Sequence, residues 1–167
     1  MKSMSQQKVS LLLLISLFAL VSCSNPVMGM GDSDKTAIRQ VIENHEKTLI
    51  FVSAEYCHAC KSMLEKNIKP YLEGLEKNNV GIVIVYYGNE DIVADLVSDN
   101  RLIITTNMRF PLLIKKDANK TMKSLLKNFK ETNAMPIPLL VDKDGFVLNY
   151  DNKNGYPSYL EIINAAK

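Results

Sequence analysis

Two cysteines three residues apart are the side chains of this 167-residue sequence best suited to chemistry. Cys57 and Cys60 stand in a Cys-His-Ala-Cys segment, after a short apolar run and at the start of a stretch with helical periodicity. A thiol at a helix N-terminus faces unpaired backbone amides, which stabilise its thiolate. The second thiol follows about one helical turn later, close enough for a disulfide. We therefore predict that Cys57 is the attacking nucleophile and Cys60 the resolving thiol.

Two other uses of the cysteine pair stay open at this stage. Zinc prefers four ligands, and beyond the pair the sequence offers His45, His58 and carboxylates, without a second Cys-x-x-Cys motif. The pair can also be a structural disulfide. Either use would make the chain a binding module rather than an enzyme. We predict no metal site and no cofactor other than the redox-active disulfide.

The elements that must position the pair alternate between strands and helices. In chain order they are a helix at 34–47, a strand at 48–53, a helix from the cysteines to about 78 with a kink at Pro70, a strand at 80–87, a short helix at 90–98, short strands at 102–106 and 110–114, a helix at 119–131, a hairpin of 139–141 with 146–150, and a helix from Pro157. Strands separated by helices pair in parallel, and a closing hairpin adds an antiparallel edge. This predicts a mixed α/β sheet with helices on both faces.

Most of the chain after the first 33 residues resembles the thioredoxin-like superfamily. The matching segments are the strand 49–53, residues 54–61 around the cysteines, the strand 80–87, and Met135 with Pro136 ahead of the hairpin. The resemblance implies a thioredoxin-like mixed sheet with an extra helical insertion before a cis-proline loop. It also implies thiol-disulfide oxidoreductase activity, with Tyr56 in the aromatic position before the first cysteine.

The resemblance extends to single residues near the pair. Pro136, rather than Pro138, is expected to be the cis-proline whose loop faces the cysteines, with the Met135 backbone available to a docked substrate strand. His58 lies between the cysteines, where an imidazolium would stabilise the first thiolate and make the pair more oxidising. Phe51 departs from the family, because many thioredoxins carry a buried acid at that place. This departure argues against a general cytosolic-type reductase.

The first residues predict export and lipid attachment. Lys2 and Lys8 precede an apolar run at 9–21, which spans about 20 Å as a helix and is too short for a hydrocarbon core of about 30 Å. The run ends in Leu-Val-Ser-Cys, which resembles the bacterial lipobox, with Cys23 as the acylated residue. We predict three regions: a signal peptide at 1–22, a flexible tether at 23–33, and a thioredoxin-like domain at 34–167.

The net charge of the chain limits the classes of partner that it is expected to bind. Without Lys2 and Lys8 the chain carries 18 basic and 18 acidic residues, so it lacks the positive footprint of a nucleic-acid-binding protein.

We predict a protein of the bacterial cell envelope, lipid-anchored to a membrane, with its domain facing the periplasm or the exterior. Its expected partners are protein thiols and disulfides of the envelope and a membrane or periplasmic redox protein. The direction of electron flow does not follow from these residues.

Overall fold

The computed structural model of the chain describes residues 29–149 apart from Asn67. In chain order its elements are α1 (Asp32–Glu43), β1 (Lys47–Ala54), α2 (His58–Lys66), α3 (Lys69–Lys77), β2 (Gly81–Tyr87), two 3-10 turns (Glu90–Ile92 and Ala94–Leu96), β3 (Arg101–Thr106), α4 (Pro111–Leu125) and β4 (Ile137–Asp142). The predicted signal peptide, Cys23 and the last predicted helix lie outside the described residues. Within the described part, each helix is too short or too polar to cross a bilayer.

The four strands form one mixed sheet in the order β3-β2-β1-β4. β2 runs parallel to both β1 and β3, and β4 runs antiparallel to β1. The register places Val52 of β1 between Val85 of β2 and Ile137 of β4. The mixed sheet predicted from the sequence is therefore confirmed.

Helices cover both faces of this sheet. One core joins α1 and α4 to one face and includes Ile38, Ile50 and Ile114. The other joins α2 and α3 to the opposite face and includes Phe51 and Leu72. Successive strand residues point to opposite faces, so a strand covered on both sides is apolar along its whole length. This explains the continuous apolar runs of β1 and β2.

The folded part of the chain begins before residue 34, the boundary expected from the sequence. Helix α1 starts at Asp32, and Met30 is buried in the core beneath α1 and α4. The Met30 N–H donates to the Asp117 carboxylate of α4 over 3.2 Å, and the Tyr87 hydroxyl donates to the same oxygen over 2.9 Å. The last residues of the predicted flexible tether are therefore packed against α4.

The helix predicted from the cysteines to about residue 78 is two helices. Pro70 lies in the first turn of α3, where its missing N–H removes no helical hydrogen bond. The proline therefore starts a second helix instead of kinking one. The first predicted helix, 34–47, also ends early, because β1 already begins at Lys47.

The segment between β2 and the proline loop differs from expectation in three places. The helix predicted at 90–98 is a pair of 3-10 turns. Strand 102–106 is confirmed as β3, but the strand predicted at 110–114 is wrong, because Pro111 opens α4. The helix predicted at 119–131 is the later part of α4, which ends at Leu125. The extra helical insertion before the proline loop is therefore α4, with β3 ahead of it.

The chain turns back after β4 as the hairpin signal predicts. The Asp142 carboxylate accepts the N–H groups of Asp144 and Phe146, and Gly145 takes a φ of 79°, which favours glycine. The returning chain pairs through a bridge between Val141 and Val147. The Asp142 N–H donates to the Phe146 carbonyl oxygen over 3.0 Å, and the Leu148 N–H donates to the Leu140 carbonyl oxygen over 2.8 Å. The second strand of the predicted hairpin thus pairs with β4 over 146–148, and its last residue, Tyr150, lies outside the described residues.

Candidate redox site

The two cysteines lie at the junction of β1 and α2 and are joined by a disulfide bond. The Cys57 N–H donates to the Ala54 carbonyl oxygen over 3.0 Å, which turns the chain sharply at the end of β1. The Cys57 carbonyl oxygen accepts the Lys61 N–H over 3.1 Å, the first helical hydrogen bond of α2. Cys57 is therefore the N-cap residue of this helix, as predicted.

The two sulfur atoms have different surroundings. The Cys60 N–H donates to Cys57 Sγ over 3.2 Å, so that this sulfur takes the place of an N-cap side-chain acceptor. Cys57 is 9% exposed, whereas Cys60 is 0% exposed. A reagent arriving from solvent therefore meets Cys57 first.

The proline loop lies at the same end of the sheet as the cysteines. The peptide bond between Met135 and Pro136 is cis, as predicted, whereas Pro138 lies inside β4 opposite Phe51. Ile137 pairs with Val52, two residues before the end of β1, so β4 starts next to the strand end that leads to the cysteines. A cysteine pair at a helix start and a cis-proline before an antiparallel strand thus lie at the same end of a mixed sheet. The domain has a thioredoxin-like fold.

Comparisons with known proteins add little beyond that topology. No protein-family model and no curated protein matches the chain. Similar solved structures include a thioredoxin-like protein from Bacteroides caccae (14% identity, 74% of this chain and 40% of that chain, TM-score 0.45). They also include the reduced N-terminal domain of PilB from N. meningitidis (17% identity, 76% and 83%, TM-score 0.46) and StoA from Bacillus subtilis (16% identity, 74% and 84%, TM-score 0.45).

The thioredoxin-like domain places the other predicted site residues at different depths. Tyr56 is 39% exposed, and burial of the rest of its ring raises the pKa of its hydroxyl. His58 is the first residue of α2 and is exposed. Met135 is partly buried against the core that contains α1 and α4. The functional roles assigned to these residues from the sequence remain predictions, as does the lipidation of Cys23.

A cavity of about 830 Å³ opens beside Tyr56. Its walls come mainly from the segments that follow β1, β2 and β3, and they carry the polar side chains Glu55, Asn89, Glu90, Asn107 and Arg109. The sequence reasoning did not single out this group. The carboxyl ends of parallel strands lie at the same end of a sheet and often form a ligand-binding crevice. The polar residues that follow each predicted strand could therefore have indicated this cavity from the sequence.

Glu55 is held against the end of β2 at this cavity. Its N–H donates to the Tyr87 carbonyl oxygen over 2.8 Å. Gly88 has a φ of 154°, and a Cβ atom there would lie 2.7 Å from Glu55 Cβ and 2.9 Å from Tyr86 Cε1. Glycine is required at this point because the Glu55 side chain and the Tyr86 ring occupy the space.

Two buried hydroxyls lie on the face of the sheet that α2 covers. Ser53 and Tyr86 are cross-strand neighbours, and among the described residues neither hydroxyl has a hydrogen-bond partner. Burial and then the negative charges of Glu55 and Glu65 raise the pKa of Tyr86 to about 12. Phe51, two residues before Ser53, fills the core on the same face.

Over the described residues, no cluster of three or more His, Cys, Asp or Glu side chains could hold a metal ion.

Proposed function

We propose that this chain is a thiol-disulfide oxidoreductase, anchored to a membrane through lipidated Cys23, that exchanges disulfides with proteins of the bacterial cell envelope. The observation that supports it best is the asymmetry between Cys57 and Cys60. Cys57 Sγ accepts a hydrogen bond at the start of a helix and Cys57 is 9% exposed, while Cys60 is 0% exposed. A structural disulfide needs no such difference, whereas an exchange reaction needs one accessible sulfur and one protected sulfur.

In the proposed reaction, a substrate thiolate attacks Cys57 Sγ of the oxidised protein. A substrate–Cys57 disulfide forms, the Cys57–Cys60 bond breaks, and Cys60 leaves as a thiolate that takes up a proton. A second substrate thiolate then attacks the substrate sulfur of this mixed disulfide and releases Cys57 as a thiolate. The substrate has gained a disulfide and the protein has gained two electrons. The same steps in reverse reduce a substrate disulfide.

The local structure favours Cys57 as the leaving group of the second step. Its sulfur accepts the Cys60 N–H and lies at the positive end of the α2 dipole, both of which stabilise an anion. His58, the next residue, would add a positive charge when protonated. Tyr56 precedes Cys57 in the chain, and the Met135–Pro136 loop lies at the same end of the sheet as the pair. Both are the proposed contacts for a substrate strand.

Alkylation of the reduced protein tests the proposed asymmetry. We expect Cys57 to react with iodoacetamide at least about tenfold faster than Cys60, because one thiol is accessible and stabilised as a thiolate. A Cys60→Ser variant should accumulate mixed disulfides with envelope proteins, and the matched Cys57→Ser variant should accumulate none. Equal alkylation rates, absence of mixed disulfides and stoichiometric zinc binding by the reduced pair would instead support the binding-module alternative.

A further inference from the structure

The solvent-exposed side of α4 combines positive charge with an exposed leucine. Its side chains repeat at helical spacing and line one shallow groove: Leu112, Lys115, Lys116, Lys120 and Lys123, here called the basic face. Leu112 is 82% exposed, whereas Ile114, Ala118 and Met122 on the opposite side of the helix are buried in the core. The exposed side of α4 therefore carries an apolar side chain among its lysines.

Positive charge is concentrated in this part of the chain. Residues 109–131 contain seven basic and two acidic side chains, although the chain after residue 22 is neutral as a whole. Of the two acids, Asp117 accepts hydrogen bonds from Met30 and Tyr87, and Glu131 pairs with Lys123 at the surface. The basic face is thus a local cationic surface on a domain whose remainder carries the compensating negative charge.

The predicted lipid anchor lies close to this surface along the chain. Gly29 packs directly against the Asp117 side chain of α4, and the Met30 N–H is bonded to the same carboxylate. Cys23 precedes Gly29 by six residues, which span at most about 22 Å when fully extended. A lipid on Cys23 would therefore keep the part of α4 around Asp117 within about 22 Å of the bilayer surface.

We propose that the basic face of α4 docks on the anionic headgroups of the membrane that holds the lipid anchor, with Leu112 entering the interfacial region. This inference rests on the lipid anchoring proposed above. Apolar burial and attraction between lysines and anionic lipids are the two forces that bind such faces to membranes. The cavity beside Tyr56 is lined by Arg109, two residues before α4, and by Ile114 in the first turn of α4. Docking would hold that cavity near the bilayer, within reach of a membrane-embedded redox partner.

A fluorophore on the basic face tests this orientation. In the intact oxidised chain Cys57 and Cys60 are bonded to each other, so Leu112→Cys introduces one labelling site. Val97→Cys is the matched control, because Val97 is also strongly exposed, at 71%. Its neighbour Leu96 packs in the core with α2 and α3, on the face of the sheet opposite α4. The chain purified from membranes is incorporated into vesicles of phosphatidylcholine with about 30% phosphatidylglycerol and a lipid-borne quencher.

We expect the label at position 112 to be quenched at least about threefold more than the label at position 97. The difference should shrink at high salt, in pure phosphatidylcholine vesicles, and when Lys115, Lys116 and Lys120 are all changed to Glu. Equal quenching at the two positions in an anchored chain would overturn the docking proposal and leave the anchor standing.

Failure of the anchor itself has a separate signature. The parent chain, without an introduced cysteine, should take up no thiol label and should float with phosphatidylcholine vesicles. A parent chain that is labelled at Cys23 and does not float would overturn lipid anchoring and, with it, the docking proposal. The alkylation and trapping experiments on Cys57 and Cys60 would still report on the oxidoreductase activity by itself.

Discussion

A cysteine at an N-cap position unites a structural and a chemical role in one atom. Ser, Thr, Asp and Asn are the usual N-caps because their side-chain oxygens accept a backbone N–H at the helix start. Cys57 Sγ accepts the Cys60 N–H in the same way. In the reduced protein this arrangement should favour the thiolate, so the group that starts α2 is also the one prepared for attack.

At the residue scale, His58→Ala should make the cysteine pair less oxidising. An imidazolium beside Cys57 would stabilise the thiolate of the reduced state. Without it the thiol pKa should rise and the reduction potential should fall. For this two-electron couple, a change of roughly 1.4 kcal/mol corresponds to about 30 mV. Equilibration with glutathione measures the potential. His58→Lys places a positive charge at the same position and should keep most of the parent reduction potential. An unchanged potential in His58→Ala would show that the histidine does not affect the cysteine pair.

Tyr86 should make the fold sensitive to alkaline pH. Burial and the charges of Glu55 and Glu65 raise its pKa to about 12, so the folded state favours the neutral phenol. Its contribution is complete below about pH 10, the unfolded pKa, and is lost as the pH rises through about 12. The loss amounts to up to about 3 kcal/mol of unfolding free energy.

Tyr86→Phe checks that assignment through denaturant unfolding at several pH values. At pH 7 the substitution should leave the free energy of unfolding unchanged or raise it, because the buried hydroxyl has no partner among the described residues. Between pH 10 and 12 the variant should lose less stability than the parent protein. Tyr56→Phe is the control, since its phenol is partly exposed. A clear loss of stability at pH 7 would show that the Tyr86 hydroxyl is bonded in solution.

At the element scale, a buried ion pair fixes β3 to α3. Arg101 binds both carboxylate oxygens of Glu76, at 2.6 and 3.0 Å, and also donates to the Leu96 carbonyl oxygen. The Arg101 side chain is 3% exposed and that of Glu76 is 14% exposed. β3 is an outer strand of the sheet, so this pair fixes a strand that has one strand neighbour in the described sheet.

Glu76→Gln should therefore destabilise the domain strongly. It leaves the Arg101 charge buried without its counter-charge, and removing one partner of such a pair costs about 3–5 kcal/mol. Urea unfolding measures the change. Glu46→Gln is the matched control, because it breaks the exposed pair with Lys143 and should leave the midpoint unchanged. A small effect of Glu76→Gln would mean that solvent reaches Arg101 and replaces the carboxylate.

Element boundaries were predicted well where burial is continuous and poorly where it is one-sided. β1 and β2 are covered on both faces, so their apolar runs extend over the whole strand and are rich in β-branched residues. The segment 110–114 is a similar apolar run, yet Leu112 and Leu113 are exposed and Ile114 is buried. Because α4 buries one side, the helical spacing continues beyond the run to Ala118. A five-residue window could not separate these cases.

At the scale of the whole molecule, Cys23→Ala should release the protein from the membrane fraction or block its processing. The prediction rests on Leu-Val-Ser-Cys after an apolar run too short to span a bilayer. Each buried CH₂ of an acyl chain contributes about 0.8 kcal/mol to membrane binding, so loss of the chains removes the anchor. Fractionation followed by immunoblotting measures the distribution. Ser24→Ala is the control, and normal cleavage with an unchanged distribution in Cys23→Ala would contradict lipidation.

The sequence by itself determined the cysteine pair, its place at a helix start and the mixed sheet, because these features depend on local spacing and on continuous apolar runs, which one stretch of chain contains in full. The cis-proline at 136 was expected from the resemblance to the thioredoxin-like superfamily. The tertiary structure alone decided the complete burial of Cys60 next to a 9% exposed Cys57, the Ser53 and Tyr86 hydroxyls that have no partner among the described residues, and the cavity at the ends of three strands. It also decided that the Met30 N–H bonds to Asp117 of α4, the helix that carries the basic face. Each of these features depends on contacts between segments that lie far apart in the chain. Only the packing of the strands and helices into one domain determines which segments are in contact.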